Sequence, residues 1–416
     1  MAFYAGFGKR GITPLPGTRF GGFWIERPFP AQGVHDPLQA HAMVLGDGED
    51  LAVVVSLDLQ LVSPLMVREV RAEIEKAYGI PGGSVLVSAT HDHAAHGGNA
   101  AEAYYLGFDD ESVFLPEAAR RKALAGILGA VEDAYRGRRK GALLAGSARI
   151  AGIGKSRAGG DEETAFPVTV LLFKGDDGKM AGALTNYPCH VSILGTDNDL
   201  FSADWVAVLN REISSYLGAP SMFLQGACAE VSTRRTRREQ TFAEVERLGQ
   251  ELARQVCPLF GEAVAVDTAG FFARSEEFRI PLRIAEVSRA LETPAARQAL
   301  ATPIESASAE ARRVQFMAER FRRIVDAKVD SVSAEVQVVR LGDVAIVGVT
   351  AEVHTSIAEE ILGSSPAPFT LMAAPANGSV GNITPEASAT SLLGPSGVKD
   401  SARVALDLLR LAYQGK

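Results

Sequence analysis

The stretch Val85-Leu86-Val87-Ser88-Ala89-Thr90-His91-Asp92-His93-Ala94-Ala95-His96 does most to restrict how this chain can fold. A short apolar run reads as a buried β-strand, and three of the chain's seven histidines follow within six residues. Alternate residues of an extended chain point the same way, so His91 and His93 can face one cavity from the strand's end. Neutral imidazole is the commonest protein ligand for Zn²⁺, and a catalytic zinc keeps one position open beside its N and O donors. Gly97 and Gly98 allow a tight turn or a close approach to a ligand. Surface loop histidines without a metal are the competing reading. That reading suits a lone histidine better than an HxHxxH spacing at a strand end.

What precedes this run makes it part of a β–α–β unit. Segments 41–45 and 51–58 flank a Gly-Asp-Gly turn and read as a hairpin. Val67, Val70, Ile74 and Tyr78 then recur at helical spacing, and Gly79 stops the helix over 64–78. Active sites commonly lie at the carboxyl ends of such strands. A later run, 179–190, delivers His190 at its end, and strands at 336–340 and 344–350 precede Glu352. Helices are expected at 116–137, 204–216, 241–257 and 397–413, with Ser202 or Asp204 capping the second. Residues 1–40, rich in Gly and Pro, read as loops with short strands, and 222–232 as one strand running into small residues. The fold class is therefore α/β, with mixed sheets flanked by helices. No linker or repeat appears, so 1–416 reads as one domain with a charged helical insertion around 286–329. The Gly/Asn/Ser/Pro-rich segment 374–396 is too long for a plain connector and reads as a functional loop.

Composition excludes several classes. A net charge of −8 argues against a nucleic-acid binder, which needs a basic face. Three cysteines, Cys189, Cys228 and Cys257, are too few for a disulfide framework and lack a CxxC spacing. The N-terminus carries no apolar leader, and no apolar run reaches the ~20 residues that span a membrane. A cytoplasmic, reduced protein is expected, with a small-molecule partner and with self-association left open.

Five segments, taken in order, resemble the catalytic domain of the neutral (non-lysosomal) ceramidases and their shorter bacterial relatives. They are Gly33-Val34-His35-Asp36-Pro37-Leu38, the Ser88 to Gly98 run, Asn186-Tyr187-Pro188-Cys189-His190, Gly226-Ala227-Cys228-Ala229-Glu230-Val231-Ser232, and the stretch from Leu341 through Glu352. Together they span nearly the whole chain. The resemblance implies one Zn²⁺ per chain, held by His91, His190 and Glu352, with a tyrosine as fourth ligand in that family. It also implies hydrolysis of a linear amide bond by metal-activated water.

The departures bear on the substrate. Where the family has a tyrosine-rich run, this chain reads Ala376-Asn377-Gly378-Ser379-Val380-Gly381-Asn382-Ile383-Thr384-Pro385, so water or an asparagine is expected to replace the fourth ligand. Ala229-Glu230 stands where the family has Gly-Asp, and Thr233 where it has Pro. The β-sandwich domain and secretory signal of the larger ceramidases are not expected here. An N-acyl amine other than ceramide is the expected substrate.

By the same resemblance, His93 beside the metal would stabilise the oxyanion or protonate the leaving amine. Glu230 or Ser232 would assist proton transfer. His35 and Asp204 are candidates to orient the ligands, and Asn377 and His35 to contact substrate. Arg157, with Lys155 aligning about as well, would hold a carboxylate. His96 and His354 read as structural or surface residues, Cys189 as packed, and the arginines at 234–238 as a solvated face. Three other readings compete: a metallo-β-lactamase-type hydrolase, for which Ala95 replaces the aspartate of a second metal; an esterase or lactonase using the same zinc; and a metal-free binding protein on the same scaffold.

Overall fold

Alternation within the apolar strands lets two sheets share one core. In the computed structural model, which describes residues 2–22, 29–96, 117–157, 164–302, 308–385, 393 and 396–414, the first sheet is nine-stranded. Its principal strands are β1 (Phe3–Gly11), β2 (Gln39–Gly46), β3 (Leu51–Leu57), β4 (Val85–Ala89), β5 (Arg139–Ile150), β6 (Phe166–Gly175), β7 (Met180–Tyr187) and β8 (Ser221–Gln225). They lie in the order β8-β7-β6-β5-β1-β2-β3-β4, and Val264–Ala265 adds to β5. A second sheet takes β9 (Phe271–Pro281), β10 (Ser331–Leu341), β11 (Val344–Val349) and β12 (Phe369–Ala373), in that order.

Successive side chains on a strand point to opposite faces. Val53 and Val55 of β3, with Val85 and Val87 of β4, pack under α1 (Pro64–Tyr78) and α2 (Glu117–Arg136). Val168, Val170, Ala183 and Phe223 pack under α3 (Asp204–Leu217) and α4 (Phe242–Glu262). On the other face, Val54, Leu86, Leu184 and Leu224 meet Ile346 and Leu371 of the second sheet. The far face of that sheet is closed by α8 (Thr355–Ser364) and α9 (Ser396–Tyr413). The charged 286–329 stretch is helical, as α5 (Ile284–Leu291), α6 (Pro294–Ala301) and α7 (Ala309–Asp326), and seats Val287 and Ile324 in this same outer core. Mixed sheets flanked by helices are what the sequence leads one to expect. Among the described residues, no helix is long and apolar enough to cross a membrane.

The β–α–β unit is built as read. β3 and β4 run parallel, and α1 joins them with Pro64 in its first turn. Ser63 Oγ accepts from Met66 N at 2.9 Å, and Gly79 at φ 68° ends the helix. Three expectations need correction. Residues 1–40, expected as loops with short strands, open on a long one, the nine-residue β1. Gly6 and Gly8 answer to the close crossing of α2: a Cβ on Gly6 would lie 2.1 Å from Ala134 O, and one on Gly8 2.0 Å from Ala130 O. The 222–232 strand ends at Gln225, and only Val231–Ser232 resume pairing, against Lys155–Ser156. Neither Ser202 nor Asp204 caps α3; Ala203 holds the cap position, and Asp204, at φ 49°, is already the first helical residue. Gly97, Gly98 and part of the 374–396 loop lie outside the described residues.

Leu86 sits fully buried where the two sheets meet. Leu86→Ala should lower unfolding free energy by about 2–5 kcal/mol, because the rigid sheets on either side cannot collapse into the space. Denaturant melts of the two proteins check this.

Candidate metal centre

Each strand that carries a candidate ligand ends two or three residues before it. β4 ends at Ala89 and presents His91, β7 ends at Tyr187 and presents His190, and β11 ends at Val349 and presents Glu352. The cross-link that holds the first two ends together is Gln225, fully buried at the end of β8. Its Nε2 donates to Thr90 O at 2.8 Å and to Cys189 O at 2.9 Å, while its Oε1 accepts from Cys189 N and Gly226 N. One side-chain amide thus ties the backbone before His91 to the backbone before His190. Asp92 and Val191 pair as an isolated parallel bridge beside it.

The imidazoles converge. His91, His93 and His190 each offer a nitrogen within 4.8 Å of the others. His91 and His93 approach Nε2 to Nε2 at 3.4 Å. Glu352 Oε2 stands 3.4 Å from His91 Nε2 and 3.7 Å from His190 Nε2. The far ring nitrogens are fixed by backbone: His91 Nδ1 faces Gln60 O at 3.0 Å and His190 Nδ1 faces Val231 O at 3.0 Å. A proton on each Nδ1 leaves the Nε2 lone pairs pointing at one another and at a carboxylate. Burial drives His190 well below the usual histidine range, helped by the charges of His91 and Arg157. Burial alone would raise the Glu352 carboxyl; positive charge and a hydrogen bond from His91 when that ring is protonated, then Arg157 and the Asn382 amide, bring it below its ordinary value, and a neutral His91 withdraws its share. Acceptor atoms gathered in a buried site repel unless a cation lies among them. The donor set, imidazole nitrogens with one carboxylate oxygen, suits Zn²⁺. The residues fit the group.

Local backbone is shaped to this end. His91 adopts φ 62°, a left-handed conformation rare for a side chain of its size. Gly22 lies against His93 so closely that a Cβ there would sit 2.3 Å from His93 Cα. Trp205 Nε1, at the start of α3, donates to His190 O at 3.2 Å.

The other expected site residues divide. His93, expected beside the metal, lies within the cluster itself, partly exposed. Glu230 accepts from Thr355 N at 3.2 Å and from the Thr355 hydroxyl, so its carboxylate sits on the first turn of α8. Ser232 Oγ accepts from Arg234 N at 3.4 Å. Arg157 donates from its guanidinium to Ala229 O and from its backbone to Glu230 O, and Lys155 pairs with Ser232 in a short ladder. His35 stacks on Phe242 with ring centres 3.7 Å apart and pairs with Asp36. Asn377 spends its amide on structure: Oδ1 accepts from Val87 N at 2.9 Å, and Nδ2 donates to Gln337 and Glu335 at 2.8 and 3.0 Å. Asp204 binds Leu194 N and Trp205 N. His96 is buried beside Phe201, and His354 caps α8 while facing Glu230. Cys189 is buried, and Arg237 holds the carbonyls of Ser192 and Ile193. The one signal for Gln225 in the sequence was its place at an apolar strand end.

Replacing Gln225 with Met keeps the volume but takes the partner from Thr90 O, Cys189 O and Cys189 N, while Gly226 N keeps Tyr187 O. The expected result is a loss of about 2–5 kcal/mol in stability and at least tenfold weaker Zn²⁺ binding. Chemical denaturation and competitive metal titration measure the two.

Residues 3–217, just over half of the chain, match the model of the family described as "Neutral/alkaline non-lysosomal ceramidase, N-terminal". A neutral ceramidase of Pseudomonas aeruginosa is 26% identical over 205 residues, covering 44% of this chain. That match spans only 28% of the relative's length. The crystal structure of neutral ceramidase from the same organism superposes with a TM-score of 0.73 at 16% identity, over 99% of this chain and 75% of that one. A structure titled as ceramidase complexed with C2 gives the same TM-score at 17% identity, over 98% and 75%.

Proposed function

This chain belongs to the neutral/alkaline non-lysosomal ceramidase family, and from that premise we propose that it is a zinc-dependent hydrolase of a linear amide, an N-acyl amine. The observation that supports this best is the meeting of His91 Nε2, His190 Nε2 and Glu352 Oε2 in one buried cluster. In this reading those three residues hold one Zn²⁺ per chain. The ion would supply a water of lowered pKa and polarise the scissile carbonyl.

The chain's own residues do the rest. Gln60 and Val231 carbonyls keep His91 and His190 in the tautomer that offers Nε2. Asn382 Nδ2, 3.3 Å from Glu352 Oε2, steadies the carboxylate in its ionised form. His93 is the partly exposed imidazole of the cluster and takes the role of donor to the leaving amine. Glu230 and Ser232 are less suited to proton transfer, because their oxygens are bound to Thr355 and Arg234. Arg157 places positive charge near Glu352 and His190 from a position partly open to solvent, where it would orient a substrate carboxylate.

Ester or lactone cleavage is the second reading, since the same attack serves either leaving group. A two-metal lactamase-type centre is disfavoured by Ala95, which is buried and offers no ligand, and by His96, which packs beside Phe201 and not with His91, His93 and His190.

The test loads the protein with zinc and follows hydrolysis of a panel of N-acyl amines, ceramide, esters and lactones. One zinc per chain and amide turnover are expected. His91→Ala should lose both, by about a thousandfold or more in kcat/KM. His93→Ala should keep its metal and lose kcat by about 10²–10⁴. Glu230→Gln should melt earlier yet turn over nearly as before. Equal activity in wild type and His91→Ala overturns the proposal.

A further inference from the structure

On the face of the first sheet toward α3, away from the histidine cluster, lies a second cavity of ≈ 510 Å³. This is within the size range of ligand sites. Its walls come from β1, β2, the end of β3, α3 and the start of β8. Most polar side chains that border it are already engaged. Asp36 binds Ser202, Ala203 N and His35; Arg211 pairs with Glu212 and Glu246; Asn210 Oδ1 accepts from Ser221 Oγ.

Three groups are not so engaged. Asp58 is 2% exposed; its Oδ2 accepts from Gln39 N at 2.9 Å, while its Oδ1 has no hydrogen-bond partner among the described residues. His41 is 7% exposed on the neighbouring strand, where it pairs across from Ser56. Lys9 lies on β1 next to His41 in register, near enough to act on the charge of both. Burial pushes Asp58 up to about 7, countered by the Gln39 hydrogen bond, and pushes His41 down to about 3. A buried carboxylate oxygen without a donor is costly, and native structures retain such a group where something else meets it.

We propose that this cavity binds a small amino-carboxylate zwitterion, with its ammonium on Asp58 Oδ1, its carboxylate on the Lys9 ammonium, and His41 as a neutral hydrogen-bonding wall. The charge count favours this class. One unengaged anion and one unengaged cation face the space, so a ligand carrying one of each leaves no charge unmatched. A lone amine would meet Lys9, and a lone carboxylate would meet Asp58.

Calorimetric titration of the zinc-loaded full chain with glycine, L-alanine and 4-aminobutanoate tests the site. N-acetyl-L-alanine, lacking the ammonium, and L-alaninamide, lacking the carboxylate, are the control ligands. At least one zwitterion should bind saturably at one per chain, and both controls at least about tenfold more weakly. Lys9→Met, a change at an exposed residue, and Asp58→Asn, which keeps the acceptor for Gln39, should each weaken binding about tenfold or more. His91→Ala should leave it within about twofold, which separates this cavity from an amino acid chelating the metal. No saturable binding, equal binding in Lys9→Met, or loss in His91→Ala overturns the proposal; if Asp58→Asn does not fold, Lys9→Met decides.

Discussion

Everything in this molecule has to accommodate one unfavourable contact: Nε2 lone pairs and a carboxylate oxygen held 3.4–3.7 Å apart in a buried place. Left to themselves these groups would protonate, turn away or admit water. None of these is easy here. The far nitrogens of His91 and His190 are committed to carbonyls, burial and neighbouring charge oppose a proton on His190, and Glu352 lies between Gly381 and Asn382. The repulsion is therefore borne by the scaffold, and a cation in the centre would turn each repulsive pair into an attractive one. Metal binding and stability are coupled for that reason.

The scaffold carries that load through buried amides. Gln225 joins the ends of β4 and β7, and Asn377 joins β4 to β10 through Val87, Gln337 and Glu335. Arg71 extends the second joint, reaching from α1 to Glu335 with two nitrogens and to Val85 O with a third. Such networks are worth keeping only when every member is satisfied, and these nearly are. Backbone strain gathers at the same place: three of the four non-glycine residues at positive φ among those described are His91, Asp204 and Asn377. Each is a polar residue on a segment that meets the cluster or its supports, where neighbours over-determine an otherwise unfavourable conformation.

How much of this a reader of the sequence can see depends on range. The hairpin, α1 with its stop at Gly79, and β4 were legible, because period and turn residues act within a few positions. That apolar strand ends gather His91, His190 and Glu352 was also legible, since the resemblance supplies the pairing that spacing cannot. β1 was not: its glycines look like loop, and only the approach of α2, more than a hundred residues on, explains them. Glu230 looked like chemistry because of its motif, yet its carboxylate is spent on the first turn of α8, a partner no local pattern announces. Asn377 was seen for its amide, and the structure shows that amide fully occupied.

The missing tyrosine can be argued from the same geometry. The loop 376–383 runs past Val87, returns through Val380 N to Thr350 O, and sets Gly381 O on Glu352 N. It thus follows the carboxylate closely enough that whatever stands at 382 must meet it. Asn382 meets it as a donor, 3.3 Å from Oε2. A phenolate there would add negative charge beside Glu352, whereas a neutral amide donates a hydrogen bond and holds the carboxylate as an anion. With Asn382 turned toward Glu352 in this way, the donors proposed for zinc among the described residues are His91, His190 and Glu352, with His93 in the same cluster. His93, partly exposed, stands on the same cluster from its solvent side. A neutral amide at 382 thus supports the carboxylate by a hydrogen bond and adds no second negative charge to the cluster.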